Sequence, residues 1–250
     1  MSVPSPAAGA GAPAPEALRR VDDGWELDLA DPEPDLAADA ITDRLAAAAR
    51  AVAAQGGGRL HVWVRGEGAD AVRTSVEAAG FEVVRALHQM RRPLPVDEPW
   101  DLDVRPFVVG QDEDAWIEVN NRAFAWHPEQ AGMTRERLAA TMAEPWFDPA
   151  GFLLHEVDGR LAGFCWTKVH ADTDPPLGEI FVIAVDPAAH RRGLGRQLVL
   201  AGLDHLHRRD LRVGMLYTEA DNLPALRLYE DLGFHVHATD RRYAKEVPAA

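Results

Sequence analysis

The chain has 250 residues, of which 47% are hydrophobic and 26% are charged. These fractions are ordinary for a globular protein and argue against a wholly disordered or fibrous chain. The 26 basic and 40 acidic side chains give a formal net charge of −14, which would repel a nucleic-acid backbone. No stretch is apolar enough for a membrane helix, and the first residues lack the pattern of a signal peptide. We therefore expect a cytoplasmic protein, a monomer, without nucleic-acid or membrane partners.

The N-terminal part of the chain has the pattern of a small α/β unit that follows a tail. Residues 1–15 are mostly Pro, Ala and Gly without apolar periodicity, which predicts a disordered tail. Strand and helix patterns then alternate, and both helices end at glycines. The predicted elements are a strand at 25–30, a helix at 38–55, a strand at 59–65, a helix at 69–80 and a strand at 81–95. Two prolines and three acidic residues in 95–101 favour a linker there.

Residues 102–250 have the pattern of a larger α/β unit. Thr134 is a typical cap for a helix that begins after it. Asp158-Gly159 predicts a tight hairpin turn, because these residue types tolerate the positive φ angles that such a turn needs. The predicted elements are a strand at 103–107, helices at 112–125 and 134–144, a hairpin at 151–170, a strand at 177–187, a helix at 193–210, a strand at 213–220, a helix at 223–233 and a strand at 234–247.

A long internal repeat relates the two parts. Gly80-Phe81 lies 153 residues before Gly233-Phe234, and the same shift places Glu77 on Glu230. A single repeat of this size is too long for a solenoid, so duplication of one α/β module is the simpler interpretation. The sequence therefore predicts a mixed α/β fold (α+β, with a mixed sheet), with an abbreviated first repeat at 16–94, a linker at 95–101 and a complete second repeat at 102–250.

The cysteine and histidine residues do not suggest redox or metal chemistry. The single cysteine, Cys165, lies within GFCWTK, which is typical of a strand interior, so we expect a small buried hydrophobic residue rather than a nucleophile. His235 and His237 would share one strand face, but no third ligand accompanies them. We predict no metal.

The segment EIFVIAVDPAAHRRGLGRQLV at 179–199 carries the strongest functional pattern. A strand runs directly into a turn with Gly193 and Gly195, and a helix follows. Unpaired amides and the helix dipole could bind a pyrophosphate here, around residues 191–196. The lysine of a nucleoside-triphosphate loop and the dinucleotide glycine pattern are both missing. The plainer alternative is a glycine turn that opens an ordinary surface helix.

This strand, the HRRGLG turn and the downstream ADNLPALRLYEDLGF resemble the acetyl-CoA core of the GNAT N-acetyltransferases. Together with NNRAFAWHPEQAGMT and GFCWTKVH they are similar to the mycothiol synthases, a family of two-repeat GNAT enzymes. The resemblance implies tandem GNAT folds and an acyltransferase that moves acetyl from acetyl-CoA to the cysteinyl amine of the thiol pseudodisaccharide Cys-GlcN-Ins. The products would be mycothiol and CoA.

The resemblance also implies residue roles. Glu179 would be the general base that deprotonates the attacking amine, and Tyr229 the acid that protonates the departing CoA thiolate. The alternatives are a surface acid at a strand end and a core aromatic residue. Substrate binding is implied for Glu129, Lys168, Glu179 and Tyr217. Acetyl-CoA binding is implied for Ile183, Ala184, Val185, His190, Arg191, Arg192, Gly193, Leu194, Gly195, Arg196, Asn222, Leu223, Pro224, Ala225, Leu226 and Arg227.

The sequence departs from the family pattern at three places. His190 replaces the usual Gln or Arg at the start of the turn, and Ala184 replaces a frequent Gly; backbone amides do most of the binding, so we expect little loss. In the first repeat, Asp31, Glu33, Asp35 and Asp39 lie where the second has arginines and glycines. We therefore predict one acetyl-CoA per chain. Two rival interpretations are a GNAT that acetylates another small amine or a protein N-terminus, and a silent acyl-CoA-binding module.

Overall fold

A computed structural model describes residues 18–29, 38–66, 69–126, 131–189 and 193–250. Within these residues the strands are β1 (Leu18–Val21), β2 (Gly24–Leu27), β3 (Gly58–Val64), β4 (Glu82–Pro93), β5 (Arg105–Pro106), β6 (Phe152–Val157), β7 (Arg160–His170), β8 (Leu177–Val185), β9 (Val213–Glu219) and β10 (His235–Val247). The α-helices are α1 (Ala38–Ala54), α2 (Asp70–Ala78), α3 (Glu113–Ala123), α4 (Arg135–Met142), α5 (Leu194–Arg208) and α6 (Leu223–Asp231). Every strand and helix predicted from the sequence is confirmed, and β1 is an additional strand. The predicted tail at 1–15 lies outside the described residues.

The chain divides into two compact units. One unit contains residues 90–217 and 228–235. Its strands follow the order β9-β8-β7-β6-β5, and the last two residues of β9 belong to the other unit. The other contains the described residues up to Gln89 together with 218–227 and 236–250, and its strands follow the order β1-β2-β3-β10-β4. Parallel and antiparallel pairs occur in both, so the predicted mixed α/β class is confirmed. The boundaries 16–94, 95–101 and 102–250 describe repeats along the sequence and stay a prediction.

Local residue chemistry explains where several elements begin and end. The side chain of Thr134 accepts a hydrogen bond from the backbone N–H of Arg137 at 3.3 Å and so caps α4. Asp158 and Gly159 have φ angles of 52° and 72° in the turn between β6 and β7, as the tight hairpin requires. The Asp158-Gly159 turn joins β6 and β7 into the hairpin that carries part of the candidate site.

The core of the unit with residues 90–217 contains an aromatic cluster on one face of its sheet. Phe152 stacks on Trp166 with ring centroids 4.2 Å apart, and Trp116 of α3 meets Phe152 edge-on at 5.5 Å. Each such pair contributes about 0.5–1.5 kcal/mol beyond the burial of its area. The cluster therefore packs α3 against β6 and β7.

Helix α5 packs closely on the same sheet at Gly202. A Cβ atom there would lie 2.5 Å from Cys165 Sγ and 2.7 Å from Ile180 Cδ1, so only glycine allows this approach. Cys165 is fully buried, as predicted, and burial raises the pKa of its thiol. The close packing therefore holds the middle of α5 against β7 and β8.

Candidate active site

Strand β8 carries two irregularities in its pairing. In the antiparallel pair with β7, Thr167 is opposite Ile180 and Trp166 is opposite Val182, so Phe181 forms a bulge. Among the described residues, the parallel pairing with β9 covers only Leu177–Ile180 of β8, although β8 continues to Val185. Bulges frequently redirect side chains next to active sites. Beyond the bulge, β8 is paired along one edge by β7, and within the described ranges its pairing with β9 on the other edge does not continue.

Glu179 lies on β8 two residues before this bulge. Its side chain is only 3% exposed, and its Oε2 atom lies 2.7 Å from Nε2 of His170, whose side chain is 21% exposed. Lys168 is directly opposite Glu179 in the register of β7 and β8, and directly opposite residues share a face of the sheet. The structure therefore brings together two residues that the sequence predicted to bind substrate, Lys168 and Glu179.

The ammonium group of Lys168 lies over two aromatic rings. Its Nζ atom is 4.7 Å from the ring centroid of Trp146 and 5.6 Å from that of Phe181. Cation–π contacts of this kind contribute about 0.5–2 kcal/mol, more when water is excluded. The two rings hold the ammonium group on the face of the sheet that carries Glu179. A lysine side chain in solvent would be free to move away from that face.

The turn after β8 is described up to Ala189 and again from Gly193 onwards. Gly193 caps the N-terminus of α5 with a φ of 88°, in the left-handed region. Among the described residues, no heavy atom lies within 4 Å of the position that a Cβ of Gly193 would occupy. The backbone N–H groups in the first turn of α5 have no hydrogen-bond partner within the helix. This geometry is compatible with an anion site, which stays a prediction.

Two ion pairs flank this turn. Asp186, directly after β8, accepts a hydrogen bond from Nη2 of Arg122 at 2.6 Å and from the backbone N–H of Ala188 at 2.9 Å. Arg196 donates from Nε and Nη2 to the two carboxylate oxygens of Glu98, at 2.7 and 2.6 Å. Arg196, a residue predicted to bind acetyl-CoA, thus has its guanidinium paired with a carboxylate of the 95–101 segment.

Tyr229, on α6, is 8% exposed and packs edge-on against Phe234 with ring centroids 5.9 Å apart. Burial raises the pKa of its phenol, and the neighbouring Cys165 raises it further. The phenol therefore keeps its proton at neutral pH. That is the protonation state a proton donor needs.

The remaining predicted residues divide into three groups. Tyr217, on β9, is 39% exposed and so is accessible to a ligand. Asn222 precedes α6 and accepts a hydrogen bond from the backbone N–H of Ala225 at 3.3 Å, which places residues 222–227 at the start of that helix. Outside the described residues lie Glu129, His190, Arg191 and Arg192, and also Asp31, Glu33 and Asp35 of the first repeat.

Sequence reasoning missed several residues at this site. The sequence analysis assigned no role to His170, Trp146, Phe181, Arg122 or Glu98. His170 belongs to the quoted segment GFCWTKVH, which was the available signal. The hydrogen bond to Glu179 depends on strand register, which the residue types alone did not specify.

Comparison with known proteins assigns the family. Residues 114–234 match the model of the acetyltransferase (GNAT) family. A mycothiol acetyltransferase from Thermomonospora curvata is 51% identical over 205 residues, which cover 80% of this chain and 68% of that protein. This chain belongs to the mycothiol acetyltransferase family. A second family member, from Acidimicrobium ferrooxidans, is 47% identical over 236 residues, or 91% of this chain and 76% of that protein.

Solved structures agree with the fold of a mycothiol acetyltransferase family member. A GCN5-related N-acetyltransferase from Sphaerobacter thermophilus is 26% identical, with a TM-score of 0.60, and the match covers 85% of this chain and 66% of that one. A tandem GNAT protein from the clavulanic acid biosynthesis pathway superposes with a TM-score of 0.59 at 14% identity, covering 90% and 76%. The second likeness concerns the fold alone. The chain is therefore an acetyltransferase, and a tandem GNAT protein shares its fold.

Two properties of the described residues bear on metal binding and on membrane insertion. They contain no group of three or more His, Cys, Asp or Glu side chains that could bind a metal ion. Of the helices within the described ranges, none combines the length and the apolar character needed to cross a membrane.

Proposed function

We propose that this chain transfers the acetyl group of acetyl-CoA to the cysteinyl amine of Cys-GlcN-Ins, giving mycothiol and CoA. The name of the 51% identical relative supports the choice of acceptor. The observation that carries the reaction type is the bulged strand β8, in which a buried carboxylate, Glu179, precedes a backbone edge that has no β9 partner in the described part of the chain, and then the Gly193 turn. These features combine a base, a surface for an extended arm and an anion site.

The β8 edge and the α5 turn fit acetyl-CoA. Ile183, Ala184 and Val185 lie beyond the last β8–β9 pair, so their backbone groups can pair with the amide groups of the pantetheine arm as a further strand would. Gly193, Leu194, Gly195 and Arg196 follow, and their amides lie at the positive end of the α5 dipole, where a pyrophosphate is stabilised. When bound, acetyl-CoA supplies the acetyl group as a thioester.

Glu179 accepts the proton that the attacking amine must lose. An α-amino group has an ordinary pKa of about 7.7–8.0, so most of it is protonated at neutral pH and cannot attack until a base removes the proton. A carboxylate with one oxygen bonded to His170 has a second oxygen for this transfer. Lys168, with Glu129 and Tyr217, would bind the hydroxyl-rich acceptor.

Tyr229 donates a proton to the departing thiolate of CoA. A phenol is protonated at neutral pH even at its ordinary pKa of about 10, and its proton would pass to the sulfur as the C–S bond of the thioester breaks. Direct attack of the amine needs no acyl-enzyme. Cys165 has no part in this scheme, because it is fully buried and its thiol has a raised pKa.

The experiment is an acetyltransfer assay with purified Cys-GlcN-Ins beside a panel of other small amines and a peptide with a free N-terminus. We expect Cys-GlcN-Ins to have the highest kcat/KM. Glu179→Gln should lower the rate by roughly 10²–10³-fold and leave the Kd of acetyl-CoA within a few fold. Glu246→Gln is the matched control, because that glutamate side chain is 77% exposed on another strand. A preference for another amine would refute the acceptor, and near-normal turnover by Glu179→Gln would refute the base.

The first repeat would not share this chemistry. The N–H of Phe234 bonds to the carbonyl of Tyr229 at 2.9 Å, and the N–H of Phe81 bonds to the carbonyl of Val76 at 3.3 Å in the same arrangement. The counterpart of the proposed acid is therefore an aliphatic residue that cannot donate a proton. This supports a single reaction centre per chain.

A further inference from the structure

The hydrogen bond between His170 and Glu179 is not explained by the roles described so far. Glu179 Oε2 and His170 Nε2 are 2.7 Å apart, and the glutamate side chain is almost fully buried. Buried polar groups need hydrogen-bond partners, and the imidazole supplies one to this buried carboxyl group. Hydrogen bonds to a carboxylate are also shorter and stronger than neutral ones.

The strand register gives His170 this contact. His170 is opposite Leu177, and Lys168 is opposite Glu179, so the imidazole reaches diagonally across the pair of strands. The loop that follows is anchored by Thr173, whose Oγ1 donates to the carbonyl of His170 at 3.0 Å. Lys168 is the charged neighbour on the same face, but its ammonium lies over Trp146. Of the described residues, His170 is the one hydrogen-bonded to the Glu179 carboxylate.

We propose that His170 is a positioning residue for the general base. Its Nε2–H donates to Oε2 of Glu179, which fixes the rotation of the carboxylate and leaves Oε1 for the proton of the acceptor amine. The inference rests on the proposed function of Glu179 as the base. A carboxylate free to rotate spends less time in the reactive orientation, and misplacement by about 1 Å can cost roughly 10²-fold in rate.

Two amide variants separate the hydrogen bond from the bulk of the ring. His170→Gln places an N–H donor at about the distance of Nε2 from the backbone, whereas the shorter side chain of His170→Asn places it near Nδ1, too far from Glu179. We expect His170→Asn to lower kcat by roughly 10- to 100-fold, with the KM of acetyl-CoA unchanged within twofold. We expect His170→Gln, which keeps a hydrogen-bond donor for Glu179, to recover kcat to within about fivefold of the unsubstituted protein.

His155→Asn is the matched control. His155 lies on β6, and its Nδ1 is 2.7 Å from the carbonyl of Asp103, so the same substitution is made outside the site. It should leave kcat unchanged. Thermal unfolding of each variant shows that the comparison is made between folded proteins. Equal kcat for the two His170 variants, whether both are normal or both are slow, would overturn the proposal.

Glu179→Gln, assayed in parallel, distinguishes this inference from the proposed function. If Glu179→Gln is slow and adding His170→Asn to it causes no further loss, the two residues act as one unit and the proposal is supported. If Glu179→Gln is slow and His170→Asn is normal, His170 has no positioning role and Glu179 remains the base. If Glu179→Gln is normal, the proposed function of Glu179 fails first, and the positioning role fails with it.

Discussion

Gly193→Ala isolates the contribution of one backbone conformation to acetyl-CoA binding. Gly193 has a φ of 88°, and among the described residues no heavy atom lies within 4 Å of the added Cβ. The change therefore introduces no steric clash with those residues, and its cost is the strain of an L-residue in the left-handed region, about 1–2 kcal/mol. Because the added methyl group has no described neighbour that would hold it in place, we expect the ligand-free variant to relax this strain by changing the backbone conformation of the turn.

The ligand must then restore the original turn. A cost of about 1–2 kcal/mol corresponds to a Kd for acetyl-CoA raised by roughly 5- to 30-fold. Isothermal titration calorimetry measures this value directly. Gly110→Ala is the matched control, since Gly110 also has a φ of 88° and an open Cβ position among the described residues. A Kd for Gly193→Ala within twofold of the unsubstituted protein, or an equal increase for Gly110→Ala, would refute the assignment of this turn to the cofactor.

Tyr229→Phe keeps the buried ring but removes the proposed proton donor, so kcat should fall roughly 10²-fold, as steady-state assays would show; a normal kcat would exclude the role. Cys165→Ala should keep kcat within about twofold, because a buried thiol with a raised pKa is not a nucleophile; a large loss would indicate covalent catalysis. Hydrogen bonds from Arg105 hold the pKa of Asp112 below its ordinary value of 3.8. The ionised carboxylate therefore contributes fully to the free energy of unfolding above about pH 4, and this contribution is lost as the pH falls further. Urea unfolding at a series of pH values should show the loss, and Asp112→Asn should make the loss smaller. Calorimetry should give one acetyl-CoA per chain, and a stoichiometry near two would contradict that.

Much of the fold could be predicted because local chemistry determined it. The Asp158-Gly159 turn and the glycines that follow α2 and α6 have the positive φ angles that their residue types favour. The strand–turn–helix around Gly193 followed from the same kind of signal. β1 was missed, because its sequence, LRRV, has two exposed arginines at its centre and little apolar alternation.

The contacts of the site were less accessible to sequence reasoning. The bulge at Phe181 changes which residues of β7 and β8 are opposite each other, and a shift of one residue moves every side chain to the other face. The pairs His170–Glu179 and Arg196–Glu98 depend on such long-range placement. Residue types indicated which groups could react, and the strand register determined which of them meet.

The pairing of β10 with β3 affects how the protein is made. Arg241 to Val247 pair with Val64 to Gly58, so β3 leaves the ribosome well before its partner exists. With about 180 residues between them and synthesis at roughly 5–20 residues per second, β3 waits for roughly 10–35 s with one strand edge unpaired. An unpaired edge is a template for association with other chains. Nascent chains of this protein should therefore need protection by chaperones until the last strand emerges, and a stop codon placed before β10 should yield aggregated protein.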